Sequence, residues 1–371
     1  MRVGVIGGGQ LARMMIPPAI ELGVELRVLA EVDGSSAAIA ATAVGDYTDA
    51  ATVLAFARDV DVVTFDHEHV PQSVLAALVA VGHAVRPGPD ALAVAQDKIL
   101  MRERLTAMGA PVPDWAVVRD TDALRAFLDS HSGRAVVKTP RGGYDGKGVR
   151  VVSGARDADD WLAGAGARGP LVEELVDFRR ELAQLVARRP SGEARAWPLV
   201  ETVQRDGVCA EVFAPAPNAG SLSGEARALA ERIATELGVT GVLAVELFET
   251  ADGRLLVNEL AMRPHNTGHW TIDGAVTSQF EQHLRAVLDL PLGDPSPTAP
   301  WSVMVNVLGG PAGATMADRY PSAMAAQPQA KLHSYDKQSR PGRKVGHVTA
   351  TGDELESTAA RARAAAGFFQ D

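Results

Sequence analysis

A strand followed at once by a glycine-rich turn constrains the fold of this chain more than any other feature. An apolar run leads into Gly7, Gly9 and Ala12, which have the spacing G-x-G-x-x-A at the start of a predicted helix. In such a turn the glycines let the backbone approach an anion, and the helix N-terminus presents free N–H groups. An acidic pair, Glu31 and Asp33, follows where dinucleotide-binding folds place a ribose-binding carboxylate. The turn predicts a parallel α/β unit and leaves three options for its ligand: a dinucleotide, another phosphate, or none.

Composition narrows the class of protein. A chain of 371 residues exceeds what one hydrophobic core holds, so we expect two or three domains. The net charge of −10 disfavours a nucleic-acid partner, because binding to its phosphates needs a basic surface. We expect no membrane partner, since no apolar run approaches the roughly 18 residues of a membrane span and the N-terminus lacks a signal-peptide pattern. A single cysteine, Cys209, cannot form an internal disulfide, which favours the reducing cytoplasm.

The first of three predicted domains comprises residues 1–97. Apolar strands alternate there with alanine-rich helices, which predicts a Rossmann-like parallel sheet covered by helices. The strands are expected at residues 3–6, 26–29, 60–65 and 84–86. Pro17 and Pro18 predict a break or kink in the first helix near Ile16, and a longer helix is expected over residues 90–108.

Residues 98–291 form the predicted central α+β domain, in which strands with few intervening helices indicate mixed or antiparallel sheets. A subdomain with a flexible glycine loop is expected at about residues 115–175. The strands are expected at residues 135–138, 171–173, 181–188, 196–202, 242–249 and 254–260, and a helix at 224–237. A proline-rich stretch at 290–300 is the predicted linker to a small β-rich C-terminal domain, residues 292–371.

A lysine at the end of a strand precedes a loop rich in glycine. Lys138 is followed by "TPRGGYDGKG", and such a loop can close over nucleotide phosphates while a lysine neutralises their charge. The lysine comes before the glycines and no G-K-[ST] ends the loop, so this is not a Walker A motif. A glycine-rich surface hairpin is the alternative. Tyr144, Asp145 and Lys147 within the loop favour a function over a plain linker.

A predicted β-hairpin carries a pair of glutamates. Two apolar strands flank an Asp252-Gly253 turn and contain Glu246 and Glu259. If the paired residue numbers have an odd sum, both carboxylates share one face within about 8 Å of each other. Two like charges are costly there unless a cation lies between them, and carboxylate oxygens with the Asn258 amide suit Mg²⁺ bound through nucleotide phosphates. A shift of one residue would instead place the glutamates on opposite faces as solvated side chains.

Two clusters of donors complete the pattern. Arg263, His265 and Asn266 follow the hairpin in "MRPHNTGHW" and suit a small planar anion such as a carboxylate or bicarbonate, with a polar loop as the alternative. Near the C-terminus, "YDKQSRPGRKVGH" is basic within an acidic chain. A solvated face is the usual role of such a run, but its Pro-Gly turn is suited to directing the cations at one phosphate. These cations are Lys337, Arg340, Arg343 and Lys344.

Taken together, these motifs resemble the ATP-grasp superfamily. The lysine before the glycine loop, "VEEL" with a glutamate eight residues on, and the hairpin ending in "NEL" carry that resemblance. "GGGQLARM", "GGYDGKG", "NELAMRPHNTGHW" and "YDKQSRPGRKVGH" are similar, in order and across nearly the whole chain, to the N5-carboxyaminoimidazole ribonucleotide synthases of purine biosynthesis. The resemblance implies a pre-ATP-grasp N-terminal domain, a central ATP-grasp domain, a small C-terminal domain and a cytoplasmic homodimer.

The resemblance also implies an ATP-dependent ligase that joins bicarbonate to 5-aminoimidazole ribonucleotide through carboxyphosphate and CO₂. The implied cofactors are ATP and Mg²⁺, with Mn²⁺ as a substitute, and Glu246 and Glu259 would hold the metal. The residues implied for ATP are Lys98, Lys138, Gly143, Gly146, Glu173, Glu174, Val176, Glu181 and Asn258. Those implied for the ribonucleotide are Gly8, Gly9, Gln10, Leu11, Glu68, Lys337, Arg340, Arg343 and Lys344. Those implied for catalysis are Arg263, His265, Asn266, Tyr144, Asp145 and Lys147.

Three other functions stay open on the residues alone. A NAD-dependent Rossmann oxidoreductase explains the opening turn but leaves the lysine–glycine loop and the carboxylate hairpin without a role. Another ATP-grasp carboxylase or transformylase would keep the fold and change the acceptor. The third alternative is a nucleotide-binding module without activity, in which the charged residues would have no catalytic role.

Overall fold

The computed structural model describes residues 1–143, 148–164 and 168–370. Its first elements are β1 (Arg2–Ile6), α1 (Gln10–Glu21), β2 (Glu25–Ala30), β3 (Ala41–Val44), α2 (Ala50–Ala57), β4 (Val62–Phe65), α3 (Gln72–Ala80), α4 (Pro89–Gln96) and α5 (Lys98–Ala107). The four strands form a parallel sheet in the order β3-β2-β1-β4. Every residue of β4 is buried, as expected for a strand covered on both faces in a parallel sheet.

A second sheet lies in the segment that contains the glycine loop. Its elements are β5 (Trp115–Val117), α6 (Thr121–Ser130), β6 (Ala135–Lys138), β7 (Val149–Val152), α7 (Asp159–Gly164) and β8 (Leu171–Glu174). The strands pair antiparallel in the order β5-β8-β6-β7. Helix α6 buries Leu124, Phe127 and Leu128 in the same cluster as strand residues, because residues three and four apart share one helix face.

The remaining strands form one antiparallel sheet of nine strands. Its elements are β9 (Phe178–Arg188), β10 (Ala194–Ala196), β11 (Val200–Arg205), β12 (Val208–Ala214), α8 (Leu222–Glu236), β13 (Gly241–Thr250), β14 (Leu255–Ala261), α9 (Thr271–Gly274), α10 (Gln279–Val287), β15 (Trp301–Leu308), α11 (Tyr320–Ala326), β16 (Lys331–Ser334), β17 (Lys344–Gly352) and α12 (Leu355–Gly367). The order is β14-β13-β9-β11-β12-β15-β17-β16, and β10 pairs with β9. The strands of the predicted C-terminal domain thus extend the sheet that carries the β13–β14 hairpin. Among the residues that the structure describes, no helix is long and apolar enough to cross a membrane.

Alternation along β13 decides which face of this sheet carries the site. Val245 and Leu247 are buried in one hydrophobic cluster with Leu229 and Ile233 of α8. Successive side chains of a strand point to opposite faces. Glu246 therefore lies on the face turned away from α8.

The first helix differs from its prediction. Helix α1 continues through Pro17 and Pro18 to its end without a break. Met15 and Ala19 of this helix are buried in one cluster with Phe280 of α10. Tertiary packing of that face stabilises the helix, although two backbone N–H groups are missing from it.

The single helix predicted over residues 90–108 is two helices, α4 and α5, that meet at Asp97. The backbone of Asp97 is extended, and its carboxylate accepts the N–H groups of Ile99 at 3.1 Å and Leu100 at 3.2 Å. Asp97 therefore caps α5. The apolar pattern continues across this position, which is why it predicts one helix.

The strand predictions also need correction at two places. No strand covers residues 84–86, which the structure describes; Val85 forms a single parallel bridge with Val63. The strand predicted at 196–202 is divided into β10 and β11 around Pro198. A proline has no N–H to donate to a neighbouring strand, which favours an interruption there.

A buried histidine connects the parallel N-terminal sheet to the nine-stranded sheet. His283 of α10 accepts the Val242 N–H at Nδ1, 3.1 Å away, so its proton lies on Nε2. Nε2 then donates to Oγ1 of Thr64 at 2.7 Å. Burial lowers the pKa of His283 to about 3. The ring is therefore neutral in the folded protein.

We expect the protein to lose stability as the pH falls from 6.5 toward about 3, because the unfolded chain takes up a proton at His283 that the folded chain does not. One such group changes the free energy of unfolding by about 1.4 kcal/mol per pH unit. In His283→Gln, the midpoints of urea unfolding at about pH 7.5 and about pH 5.5 should lie closer together than in the wild type. An equal separation in both proteins would contradict this account of His283.

Candidate active site

The two glutamates of the hairpin face each other. Glu246 of β13 and Glu259 of β14 are directly paired, so the condition for a shared face is met. Like charges directly opposite each other are destabilising, and each carboxylate has a nitrogen partner from outside the hairpin. Nε2 of His265 lies 3.1 Å from Oε1 of Glu246, and Nζ of Lys98 lies 2.6 Å from Oε1 of Glu259. The hairpin thus gathers residues from α5 and from the loop after β14.

The carboxylate pair fits a magnesium ion held through phosphates. The side chain of Glu259 is 46% exposed and that of Glu246 is 29% exposed, so both side chains are partly accessible. Burial raises the pKa of Glu246, but the hydrogen bond and charge of His265 outweigh this effect and keep the pKa low. Within the described residues, no three His, Cys, Asp or Glu side chains are grouped as a metal site. Mg²⁺ commonly takes one or two carboxylates and completes its shell with water and substrate phosphates.

Lys138, predicted to contact ATP, lies beside the hairpin. Its Nζ is 2.6 Å from Oε2 of Glu173 and 3.3 Å from Oδ1 of Asn258. Glu173 is 2% exposed, and its Oε1 accepts Nε–H of Arg102 at 2.5 Å. Burial raises the pKa of Glu173, but the charges of Arg102 and Lys138 outweigh it and keep the pKa low. Sequence reasoning included Glu173 and missed Arg102.

Arg263 connects the hairpin to the N-terminal sheet. Its Nε donates to Oε2 of Glu68 at 3.0 Å, and the Met262 N–H donates to Oε1 of the same carboxylate at 2.8 Å. Burial alone would lower the pKa of Arg263. The negative charges of Glu68, Asp66 and Glu246 have the larger effect, so the pKa is raised above its ordinary value. Glu68, which the resemblance assigns to the ribonucleotide, therefore also holds Arg263 in place.

The loop after the hairpin turns His265 toward Glu246. Gln279, the first residue of α10, accepts the His265 N–H at 2.8 Å and donates to the His265 carbonyl at 2.7 Å. Nδ1 of His265 lies 3.0 Å from Oγ1 of Thr267, which leaves Nε2 for the glutamate. Asn266, the third predicted bicarbonate donor, is buried next to His265. Gln279 carries no signal of this role in the sequence.

The opening glycine turn packs closely against the loop after β4. A Cβ atom at Gly9 would lie 2.0 Å from Oδ2 of Asp66, so only glycine fits there. The Ala12 N–H donates to Oδ1 of Asp66 at 2.8 Å. Burial raises the pKa of Asp66. Sequence reasoning selected Glu68 from this loop and missed Asp66.

Glu31 binds the protein's own backbone. Its Oε2 accepts the Gly8 N–H at 3.1 Å, and its Oε1 lies 3.2 Å from Nε2 of His67. The hydrogen bond from His67, followed by that from Gly8, lowers the pKa of Glu31 to about 2. This carboxylate therefore has a structural role beside the turn.

The basic C-terminal segment reaches the start of α1. Nζ of Lys337 donates to Oε1 of Gln10, the first residue of that helix. Lys344 begins β17, and its charge helps to lower the pKa of the hairpin glutamate on β13. Arg343 donates to a backbone carbonyl of its own segment, and Arg340 is exposed. The structure thus brings Lys337 to the glycine turn and Lys344 near the hairpin.

The residues predicted to bind adenine and ribose lie along the hairpin. Glu174 and Val176 line a cavity of about 260 Å³ together with Leu256 and the hairpin turn. Glu181 of β9 pairs with Phe248 of β13, two residues along the strand from Glu246. Burial raises the pKa of Glu181, and the charge of Glu246 adds to this effect.

The remaining predicted site residues belong to the glycine loop and the opening turn. Tyr144, Asp145, Gly146 and Lys147 lie outside the described residues, and their roles stay predictions. Leu11 is buried in a hydrophobic cluster. Gly143 has a φ of +82°, a backbone conformation that favours glycine.

Asp97 fastens the base of the glycine loop to α5. Its Oδ2 accepts Nε–H of Arg141 at 3.0 Å and Nη1–H of Arg168 at 2.6 Å. The Lys98 N–H donates to the Pro140 carbonyl at 2.8 Å. An aspartate directly before a helix is a typical N-cap, and this pattern was the sequence signal for Asp97. The signal was missed because residues 90–108 were predicted to form one continuous helix.

Family models match three parts of the chain in the predicted order. Residues 1–96 match the ribonucleotide synthetase preATP-grasp domain, and residues 103–280 match the ATP-grasp domain. Residues 302–361 match the phosphoribosylaminoimidazole carboxylase C-terminal domain. The predicted fold class is confirmed.

Curated relatives named N5-carboxyaminoimidazole ribonucleotide synthase align with almost the whole chain. The protein from Mycobacterium tuberculosis is 53% identical over 374 residues, which cover 99% of this chain and 87% of the relative. This chain belongs to the N5-carboxyaminoimidazole ribonucleotide synthase family. The synthase from Corynebacterium ammoniagenes is 51% identical, covering 99% of this chain and 91% of its own. The resemblance predicted from the synthase motifs is confirmed, and the nicotinamide alternative is set aside.

Solved structures of the synthase family have the same fold. The synthetase from Thermus thermophilus has a TM-score of 0.89 and 36% identity, covering 100% of this chain and 99% of that one. The Aspergillus clavatus synthase, solved in complex with ADP and 5-aminoimidazole ribonucleotide, has a TM-score of 0.89 and 30% identity, covering 99% and 98% of the two chains. The synthases are ATP-grasp ligases, so the predicted enzyme class is confirmed.

We expect Asp97→Asn to loosen the glycine loop while keeping the cap of α5, because an amide oxygen still accepts helix N–H groups but carries no charge for Arg141 and Arg168. Limited trypsin cleavage after these two arginines should be several-fold faster than in the wild type. Asp90→Asn, an exposed aspartate of α4, is the matched control and should cleave like the wild type. Equal cleavage in both variants would contradict an anchoring role for Asp97.

Proposed function

We propose that this enzyme carboxylates 5-aminoimidazole ribonucleotide with bicarbonate and ATP, forming N5-carboxyaminoimidazole ribonucleotide, ADP and phosphate. The observation that carries the proposal is the contact between the carboxylate hairpin and the anion donors of the next loop, Glu246 with His265. A phosphate-bound metal and a small anion would then lie side by side. The names of the curated relatives and the ribonucleotide complex of the Aspergillus clavatus synthase support the same reaction.

ATP would lie along the hairpin. Glu246 and Glu259 would hold Mg²⁺, which supplies positive charge to the phosphates, and Mn²⁺ suits the same oxygen ligands. Lys98, Lys138 and Asn258 would contact the phosphates. The adenine would occupy the cavity lined by Glu174 and Val176, next to Glu173, and Glu181 would accept the ribose hydroxyl groups. Gly143 and Gly146 would let the loop close over the nucleotide.

Bicarbonate is a poor electrophile, so its oxygen would first attack the γ-phosphorus of ATP while the bond to ADP breaks. The product of this step is carboxyphosphate. Arg263, oriented by Glu68, and His265, oriented by Gln279, would place the bicarbonate for in-line attack, with Asn266 beside them. This positioning, together with charge neutralisation, accounts for most of the catalysis expected of phosphoryl transfer.

Carboxyphosphate would then break down to CO₂ and phosphate in a closed site. The exocyclic amine of the ribonucleotide would attack the carbon of CO₂ and pass a proton to the phosphate. Exclusion of water protects the intermediate, and the glycine loop is the expected lid. Tyr144, Asp145 and Lys147 of that loop would surround the aminoimidazole together with Glu68.

The ribonucleotide phosphate would bind between the opening turn and the basic C-terminal segment. The contact between Gln10 and Lys337 supports this placement, because it brings the two predicted parts together. The remaining residues of the turn are Gly8, Gly9 and Leu11, and those of the basic segment are Arg340, Arg343 and Lys344.

We further propose a cytoplasmic homodimer with three domains, divided near residues 97 and 291. Its phosphorylated substrates are charged molecules that do not cross membranes unaided, which supports a place inside the cell. The net charge of −10 supports small-molecule substrates over a nucleic acid.

Phosphate release from ATP tests the reaction. With Mg²⁺ and bicarbonate present, we expect 5-aminoimidazole ribonucleotide to stimulate phosphate release strongly and to be consumed in equal amount. ATP turnover that is indifferent to this ribonucleotide would point to another ATP-grasp acceptor. Absence of ATP turnover, with NAD(H) raising the melting temperature, would overturn the proposal.

We expect Lys337→Met to weaken the ribonucleotide site selectively, because it removes the cation that meets the glycine turn. The KM for 5-aminoimidazole ribonucleotide should rise about tenfold or more, and the KM for ATP should change little. Lys331→Met, an exposed lysine of the neighbouring strand β16, is the matched control. A rise in both KM values to the same extent would contradict the assignment of Lys337 to the ribonucleotide.

A further inference from the structure

A buried carboxylate is shared by two cations at the edge of the ATP site. Glu173 accepts Nε–H of Arg102 at one oxygen, 2.5 Å away, and lies 2.6 Å from Nζ of Lys138 at the other. Arg102 is fully buried and Glu173 is 2% exposed. A charge removed from water in this way needs a partner of opposite sign. The sharing leaves the three side chains with a net charge of +1.

Arg102 also joins three elements of the fold. It lies one turn after Lys98 on α5, so both side chains are on the same face of that helix. Its Nη2 donates to the backbone carbonyl of Asn258 on β14 at 2.7 Å, while its Nε binds Glu173 on β8. The guanidinium thus connects the sheet that contains β8 with the carboxylate hairpin. Its N–H groups are held in one plane at fixed angles, which suits two acceptors.

We propose that Arg102 is a positioning residue that balances the charge of Glu173 and thereby leaves Lys138 available for the phosphates of ATP. The inference rests on the proposed function in one respect, the contact of Lys138 with ATP. With Arg102 in place, Glu173 keeps a permanent counter-ion when the ammonium group turns to a phosphate. Without Arg102, Lys138 is the sole cation that contacts Glu173 among the described residues, and its move to ATP would leave a buried charge unpaired.

The charge balance makes a test possible that does not depend on turnover. A non-hydrolysable ATP analogue is titrated with Mg²⁺ into each variant by calorimetry. Arg102→Met lowers the net charge of the group to zero, and the Kd should rise about tenfold, which corresponds to about 1.4 kcal/mol. Arg102→Met combined with Glu173→Gln restores +1, and the Kd should return to within about threefold of the wild type. Arg104→Met, an exposed position two residues along the same helix, is the matched control and should bind like the wild type.

Two results would overturn the inference. One is wild-type affinity in Arg102→Met. The other is a double variant that binds as weakly as Arg102→Met, because a loss that a neutral residue at position 173 does not relieve is structural. Should Arg102→Met not fold, the double variant, which keeps the net charge of +1, is compared with the wild type, and binding about tenfold weaker or more would contradict the charge argument.

Wild-type turnover, measured alongside, separates this inference from the proposed function. In one outcome, the Kd values of the variants follow the order expected from their net charges (the charge pattern) while turnover of the wild type is indifferent to 5-aminoimidazole ribonucleotide. That combination would overturn the proposed acceptor and support the role of Arg102. Ribonucleotide-stimulated turnover without the charge pattern would overturn the role of Arg102 alone. A wild-type protein that does not bind the ATP analogue would overturn both.

Discussion

Two carboxylates that face each other across a hairpin determine how the rest of the site is arranged. Glu246 and Glu259 are directly paired, and their repulsion must be offset by positive charge. The groups that offset this repulsion come from outside the hairpin: the ammonium group of Lys98 on α5, and Nε2 of His265 on the following loop, which hydrogen-bonds to Glu246. The site is therefore complete only when the helices before the central sheet and the loop after β14 are in place. A metal between bound phosphates and these carboxylates would be the natural addition to this balance.

Further contacts connect the residues predicted to bind the bicarbonate with those predicted to bind the ribonucleotide. Glu68 from the N-terminal sheet holds Arg263, whose charge also acts on the hairpin glutamate. Gln10, at the start of α1, meets Lys337 from the C-terminal segment. A ribonucleotide between these last two residues would lie on the side of the predicted bicarbonate donors. Short separation matters because carboxyphosphate reacts with water, so the acceptor has to be present where CO₂ is released.

The local sequence pattern predicted those parts of the site whose residues all lie in one continuous segment of the chain. The apolar strands and the Asp-Gly turn predicted the hairpin and left two registers open, one of which places Glu246 and Glu259 on one face. The structure pairs these two glutamates directly. Arg102 and Gln279 were missed because their roles depend on strands and loops that lie far away in sequence. Their partners are known only once β8, β14 and α10 are brought together. The capping position of Asp97 was visible in the sequence, but a continuous apolar pattern outweighed it.

The central claim is that bicarbonate is phosphorylated beside the carboxylate hairpin before the ribonucleotide is carboxylated. Turnover with bicarbonate labelled with oxygen-18 tests it most directly, followed by mass analysis of the inorganic phosphate. Attack of a bicarbonate oxygen on the γ-phosphorus predicts that one labelled oxygen enters the phosphate for each N5-carboxyaminoimidazole ribonucleotide formed. Unlabelled phosphate, with label entering only when the water is labelled, would contradict the account.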